Sequence, residues 1–302
     1  MLKLDDVTIH FDANNLWVLN IALTVVMFGV ALGITLNDFK QLQKQPKPII
    51  VGLLSQFVLL PFLTYIVIRL VNPQPSIALG MMMVAACPGG NISNFMTHLA
   101  KGNTALSVSL TAFSTFLAMI MTPFNFEFYG HLYAPTASLL KQVALSPYEL
   151  VKLVLLVLGV PLLLGMLMRY YFSAFSEKLS RVLKPFSIIV FIAIVVIAFS
   201  NNMNVFNNYI HHVLGIGIIH NLLALLLGFF IARAFKLSFK NQKTLAIETG
   251  IQNSGLGLLL IFMFFNGLGG MAIIAAFWGI WHIISGLTLS LFWAYQKKTK
   301  LQ

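Results

Sequence analysis

The stretch Ile247-Glu248-Thr249-Gly250-Ile251-Gln252-Asn253-Ser254-Gly255-Leu256 decides how this chain is read. It lies inside an apolar run from about residue 243 to 266, where a carboxylate, two amides and two glycines need a reason to be. An acid at membrane depth costs roughly 2.5–3.5 kcal/mol on insertion scales and marks an ion or substrate path. Glu248 is the only acid expected that deep. A second stretch, Cys87-Pro88-Gly89-Gly90-Asn91-Ile92-Ser93-Asn94, interrupts the run from 76 to 100 in the same way. Proline removes a backbone donor and glycine loosens a helix, so Pro88-Gly89-Gly90 frees backbone groups at mid-depth. Unwound backbone survives in a membrane where it lines a cavity or holds an ion. The two runs therefore predict two broken helices that cross at mid-membrane.

The rest of the chain supplies the setting. Its 302 residues are 59% hydrophobic and only 9% charged, and the mean hydropathy is +0.88. That composition excludes a soluble globular protein and predicts an all-α integral membrane protein. A helical span needs about 20 apolar residues. Apolar runs fall at 15–36, 48–71, 76–100, 103–123, 148–168, 186–201, 209–232, 243–266 and 270–295, which predicts nine transmembrane helices in a single membrane transporter domain over residues 1–302. The first run is expected to be retained, because no basic region and cleavage site precede it.

Charge gives the orientation. The net charge is +11, but nucleic-acid binders gather Lys and Arg on one face with aromatics interleaved. Here the basic residues fall between apolar runs, so the expected surroundings are membrane lipid, with no nucleic-acid partner. All Lys and Arg except Lys3, Arg69, Lys141 and Lys152 lie on one side if the N-terminus is outside and the C-terminus cytoplasmic, as the positive-inside rule requires. A multi-pass protein of the cell membrane, the inner membrane in a bacterium, is expected.

The run order predicts a repeat. Runs one to four read apolar, apolar, broken, apolar, and runs six to nine read the same, with run five left over. An offset of five spans makes the two halves inverted in topology, as in many secondary transporters. The plainer alternative is two polar helices that merely pack against each other.

A hard cation such as sodium takes oxygen ligands, and the broken segments offer them. Ser93 and Asn94 stand on one, and Glu248, Gln252 and freed carbonyls on the other. Glu248 and Gln252 are four apart and share a face while the helix holds. Gln56 lies inside run two, and Ser107 and Thr111, also four apart, lie on run four. Each hydroxyl taken singly is better explained by a bond to its own helix backbone, and it is the constellation that points to a cation. His211-His212 lacks a third ligand at metal spacing, and the lone Cys87 excludes an internal disulfide. No His-Glu-x-x-His, nucleophile elbow or phosphate loop is present, so no enzyme activity is expected.

Three segments carry a family resemblance: Cys87 to Met96 (CPGGNISNFM), Lys101 to Thr111 (KGNTALSVSLT) and Ile247 to Leu256 (IETGIQNSGL). They resemble the signatures of the bile acid:sodium symporter (BASS) family. The likeness runs from about Leu16 to Tyr295 and includes Ser55-Gln56, His220-Asn221, Trp281-His282 and Ser285-Gly286. It implies the nine-helix form, without the extra N-terminal helix of many bacterial relatives. It also implies a panel of about 15–36, 148–168 and 186–201 and a core of about 48–123 and 209–295. Two sodium ions serve as coupling ions, with no other cofactor. By the resemblance, sodium site 1 is Ser93, Asn94, Ser107, Thr111 and Glu248. Sodium site 2 is Gln56, Glu248 and Gln252 with carbonyls of Thr249 and Ile251. Asn91 and Asn253 face the substrate, Asn91 standing where the family commonly has Thr.

The implied function is sodium-coupled secondary active symport of an organic anion, bile acid-like or a small carboxylate, by alternating access. A proton-coupled or arsenite-type exporter of related architecture is the alternative within carriers, and there Cys87 and Glu248 would matter. A channel or a receptor is the alternative outside them.

Overall fold

The computed structural model describes residues 4–9, 16–142, 148, 152, 155–201 and 203–296. Lys3, Lys297, Lys298 and Lys300, which entered the orientation count, lie outside the described residues, as does most of the start of run five. Among the described residues every element is helical, and the only extended pairings are the bridges Thr8 with Leu268 and Gly89 with Gln252. The helices are α1 (Leu16–Ala31), α2 (Leu36–Lys44), α3 (Pro46–Val71), α4 (Pro75–Ala86), α5 (Ile92–Leu99), α6 (Thr104–Leu132) and α7 (Ala134–Gln142). There follow α8 (Val160–Tyr171), α9 (Ser173–Asn201), α10 (Met203–Ala234), α11 (Phe239–Gly250), α12 (Ser254–Phe264) and α13 (Gly269–Tyr295).

Among the described residues four segments are long and apolar enough to cross a membrane: Pro46–Val71, Thr104–Leu132, Tyr209–Ala234 and Gly269–Tyr295. The apolar α4 and α12 are too short to cross alone, since each is one half of a broken run. α4 is buried on every side from Ser76 to Ala86, as an all-round apolar helix must be inside a bundle. It packs against α13 and α6, while α11 lies along α10, and α1 packs against α8 and α9. Large apolar side chains such as Phe62, Ile120, Phe124 and Leu163 remain exposed on the outer surface, where lipid tails are their natural solvent.

Two details differ from the spacing of apolar runs. Run one ends at Ala31, and the polar sequence after it forms the short α2, docked by Phe39 edge-on to Phe113 with ring centroids 4.8 Å apart. Run four continues through Pro123 to Leu132. Proline removes only its own donor there, and a helix inside a membrane bundle tolerates one such loss.

Proline also shapes α3. Residues Ser55–Leu59 widen into a π turn just before Pro61. The Pro61 ring cannot donate to the carbonyl four residues back, that of Phe57. Asn125 on α6 fills the gap, donating Nδ2 to the Phe57 carbonyl at 2.9 Å. The π turn swings Gln56 inward, where it is 4% exposed. Single π turns recur at functional sites.

Residues 4–9 clamp one end of the bundle. Leu4 N–H donates to Gln74 Oε1 at 2.8 Å, and Ser76 N–H donates to Asp5 Oδ1 at 2.7 Å. Ile9 N–H reaches the Gly267 carbonyl, and Gly269 N–H reaches the Val7 carbonyl.

Candidate functional site

The breaks fall where the sequence places them. α4 ends at Ala86 and α5 begins at Ile92; α11 ends at Gly250 and α12 begins at Ser254. The two unwound segments run antiparallel across each other. Gly90 N–H donates to the Ile251 carbonyl, and Asn253 N–H donates to the Pro88 carbonyl, each at 2.8 Å. These reciprocal bonds flank the Gly89 and Gln252 pair. Gly90 has to be glycine, because a Cβ there would sit 2.9 Å from the Gln252 carbonyl oxygen.

Buried backbone groups need partners, and side chains supply them to four freed carbonyls at the crossing. Thr122 Oγ1 donates to Ala86, and Gln56 Nε2 to Cys87 at 2.8 Å. Gln252 Nε2 donates to the Thr249 carbonyl at 2.7 Å, and Asn221 Nδ2 to the Gly250 carbonyl at 2.8 Å. Asn221 is held in turn by Ser285, whose hydroxyl donates to Oδ1 at 2.6 Å. Asn221 and Ser285 belong to motifs noted in the sequence without a role, and Thr122 was not singled out. Only the accounting of freed carbonyls reveals what they do.

Four half-helix ends meet here. The C-termini of α4 and α11 bring negative dipole ends, which favour a cation, and the N-termini of α5 and α12 bring positive ends, which favour an anion. Asn91, before α5, is exposed, with no side-chain capping bond. Asn253 is half-buried and caps α12, accepting from Leu256 N–H at 3.1 Å.

Glu248 is enclosed at 5% exposure. Its Oε1 accepts from Ser93 Oγ at 2.5 Å and from Ser107 Oγ, and its Oε2 accepts from Thr111 Oγ1 at 3.1 Å. Asn94 Oδ1 faces the same two α6 hydroxyls, 2.9 Å from Ser107 Oγ and 3.4 Å from Thr111 Oγ1. Ser93, Asn94, Ser107, Thr111 and Glu248 thus form one contiguous group. Each hydroxyl has a single proton to give, while the carboxylate and the Asn94 amide oxygen offer more lone pairs than those protons fill. The residues present fit a hard monovalent cation bound by oxygens.

The second group is separate. Gln56 Nε2 donates to Gln252 Oε1 at 2.8 Å, and Gln252 Nε2 returns a bond to Gln56 Oε1 at 3.2 Å. Thr249 adds its hydroxyl, 2.9 Å from Ser55 Oγ, and the Ile251 carbonyl is engaged by Gly90. Among the described residues no hydrogen bond joins Glu248 to Gln56 or Gln252. Glu248 and Gln252 do not share a helix face, because α11 stops at Gly250 and Ile251 is extended at φ −108° and ψ 95°. The four-residue rule applies only while the helix continues.

Cys87 is completely buried, and it is its carbonyl that meets Gln56. His220 bonds Thr64 Oγ1 at 2.7 Å and packs on Trp278 with centroids 4.6 Å apart, as a core histidine does. No group of three His, Cys, Asp or Glu side chains suited to a metal exists among the described residues.

An apolar helical bundle in which two interrupted helices cross beside an enclosed carboxylate has the build of a multi-pass membrane transporter. The chain belongs to the sodium bile acid symporter family, whose pattern it matches over residues 20–209. It is 34% identical to the uncharacterized sodium-dependent transporter YocS of Bacillus subtilis, over 93% of this chain and 84% of that one. It is 30% identical to the probable chloroplastic sodium/metabolite cotransporter BASS1 of Arabidopsis thaliana, over 93% of this chain and 68% of that one. To the human ileal sodium/bile acid cotransporter it is 32% identical, over 79% of this chain and 67% of the human protein. The family and these relatives are sodium-dependent transporters and not enzymes.

Proposed function

We propose that this protein is a sodium-coupled secondary active symporter of an organic anion, working by alternating access across a cell membrane. The observation that carries the proposal is the enclosure of Glu248 by Ser93, Ser107 and Thr111 where the two broken helices cross. In this reading two sodium ions travel with the anion. One is held by Ser93, Asn94, Ser107, Thr111 and Glu248. The other is held by Gln56, Gln252, Glu248 and the carbonyls of Thr249 and Ile251.

The two groups differ in readiness. The Glu248 group has oxygen lone pairs to spare, so a cation enters by turning three hydroxyl protons aside. The Gln56 and Gln252 amides satisfy each other, so the second ion must part them. Binding in the first site orders Glu248 and the end of α11, which carries Thr249 into the second. Asn91, Asn253 and the N-termini of α5 and α12 receive the carboxylate of the substrate, since their dipoles and donors favour negative charge.

Nine spans in two inverted halves complete the proposal. Its support is local. The antiparallel bonds at the crossing are two-fold in pattern, and Thr122 and Ser285 stand at the same sequence offset as Gly89 and Gln252. Gln56 serves the end of α4 as Asn221 serves the end of α11. The mutual packing of α1, α8 and α9 supports a panel distinct from the core. Residues 4–9 meet the 72–76 and 267–269 turns, and a proposed outer N-terminus puts all three segments on one side.

Substrate counterflow in proteoliposomes tests the function. A labelled organic acid should exchange against its unlabelled form in sodium, as only an alternating carrier allows. The matching uncharged amide should compete at least tenfold more weakly. Flux without counterflow would make the protein a channel, and equal competition by acid and amide would remove the anion site from the half-helix N-termini.

A further inference from the structure

We propose that the cytoplasmic ends of α2, α3, α10 and α11 form one docking site for the headgroups of anionic phospholipids in the cytoplasmic leaflet. Lys40, Lys44 and Lys47 belong to one stretch of sequence, and Arg233, Lys236 and Lys240 to another nearly 200 residues later. The fold brings the stretches together. Asn103 Nδ2 donates both to Gln45 Oε1 at 3.3 Å and to Asn241 Oδ1 at 2.9 Å. Leu237 joins Ile49 and Val51 in one buried cluster beneath the turn.

All six basic side chains are exposed, and none has an ion pair within the described residues. The nearest acid in sequence, Asp38, forms no ion pair with them among the described residues and turns to Thr35, accepting from its N–H and hydroxyl at 2.7 and 2.9 Å. Six cations without counter-charge repel one another, and an external anion relieves that repulsion. Leu36, Ile50, Phe235 and Phe239 are exposed between them, at 56%, 58%, 40% and 52%. Charge interleaved with apolar side chains matches a phospholipid, whose phosphate and acyl chains enter together. A soluble anion would use the lysines alone. Lys40 and Lys44 lie four apart on α2 and present their charges on one face.

Each basic residue near an anionic leaflet strengthens attachment by about fivefold, so four removals should be decisive. The site sits at the cytoplasmic ends of the helices that carry Gln56 and Glu248, so a headgroup there would brace both.

The test uses the full chain purified in a neutral detergent, with phosphatidylglycerol and phosphatidylcholine offered together and the retained lipid counted by native mass spectrometry. The parent should keep phosphatidylglycerol in preference. The variant Lys44→Gln/Lys47→Gln/Lys236→Gln/Lys240→Gln should lose that preference at least tenfold, and Lys47→Gln/Lys240→Gln partly. Lys178→Gln/Arg181→Gln, on another exposed cytoplasmic segment, should keep it. Should the fourfold variant fail to elute as a single species, the double variant decides. Unchanged retention in the variants, or equal loss in the Lys178 and Arg181 control, would overturn the site. So would displacement of the lipid by millimolar glycerol 3-phosphate, which would show a pocket for free anions.

Discussion

Ser93 and Glu248 stand 155 residues apart in the chain and 2.5 Å apart in the fold, hydroxyl to carboxylate. That contact joins the start of α5 to the end of α11 and sets the oxygen-lined space beside the crossing. It exists only because both helices break at the same depth.

The two oxygen groups are separable, so single substitutions should act on one at a time. Ser107→Ala removes a donor to Glu248 and one oxygen of the first group. Gln56→Ala removes the partner of Gln252 and of the Cys87 carbonyl. Ser107→Ala takes an oxygen ligand from the cation, and a polar contact to a charge contributes about 1.5–3 kcal/mol, so apparent sodium affinity should weaken by about ten- to a hundredfold. Uptake in proteoliposomes should be sigmoidal in sodium for the parent and flatter for either variant. An unchanged curve in both would show that the two groups do not hold coupling ions.

Gly90 is a test of the crossing itself. Gly90→Ala drives a methyl group to 2.9 Å from the Gln252 carbonyl, and overpacking of this kind costs about 1–3 kcal/mol. Gly215 on α10 has nothing within 4 Å of the same methyl position, so Gly215→Ala should leave stability unchanged or raise it slightly. Thermal unfolding in detergent should show a lowered midpoint for the first variant alone. Equal midpoints would mean that the segments do not approach as closely as described.

The fate of the freed carbonyls gives a third expectation. Asn221→Ala leaves the Gly250 carbonyl buried without its donor, at a cost of about 1–3 kcal/mol. Ser285→Ala should cost less, because Asn221 keeps its bond to Gly250. A double-mutant cycle on unfolding should return coupling of about 0.5–3 kcal/mol between them. Additive effects would exclude the Ser285 to Asn221 to Gly250 relay.

Pro88-Gly89-Gly90 and Gly250 announce the breaks through backbone chemistry alone, so the crossing was legible in the sequence. Ser93, Ser107 and Thr111 were legible as oxygen donors near mid-span, and the fold gathers them on Glu248. The pairing of Gln252 with Gln56 was less so, because helical spacing puts Gln252 beside Glu248 until the helix is known to stop at Gly250. Asn125 and Asn221 could not be assigned from sequence. Their partners are backbone carbonyls on other helices, freed by Pro61 in one case and by a helix end in the other, and an isolated Asn in an apolar run gives no sign of which carbonyl it serves.

Glu248 is the one carboxylate at the crossing and the residue assigned to both cation sites. A charge in a low-dielectric interior is tolerable when cations neutralise it, so Glu248→Gln keeps the shape and removes the reason for sodium to bind. The decisive measurement is uptake of a transported organic anion into proteoliposomes under an imposed sodium gradient, parent against Glu248→Gln. The parent should accumulate the anion with sigmoidal sodium dependence, and the variant should show no sodium-driven accumulation. Transport by Glu248→Gln with unchanged sodium dependence would contradict the shared carboxylate. Sodium-independent uptake by the parent, driven by a pH gradient that the variant cannot use, would replace sodium with a proton.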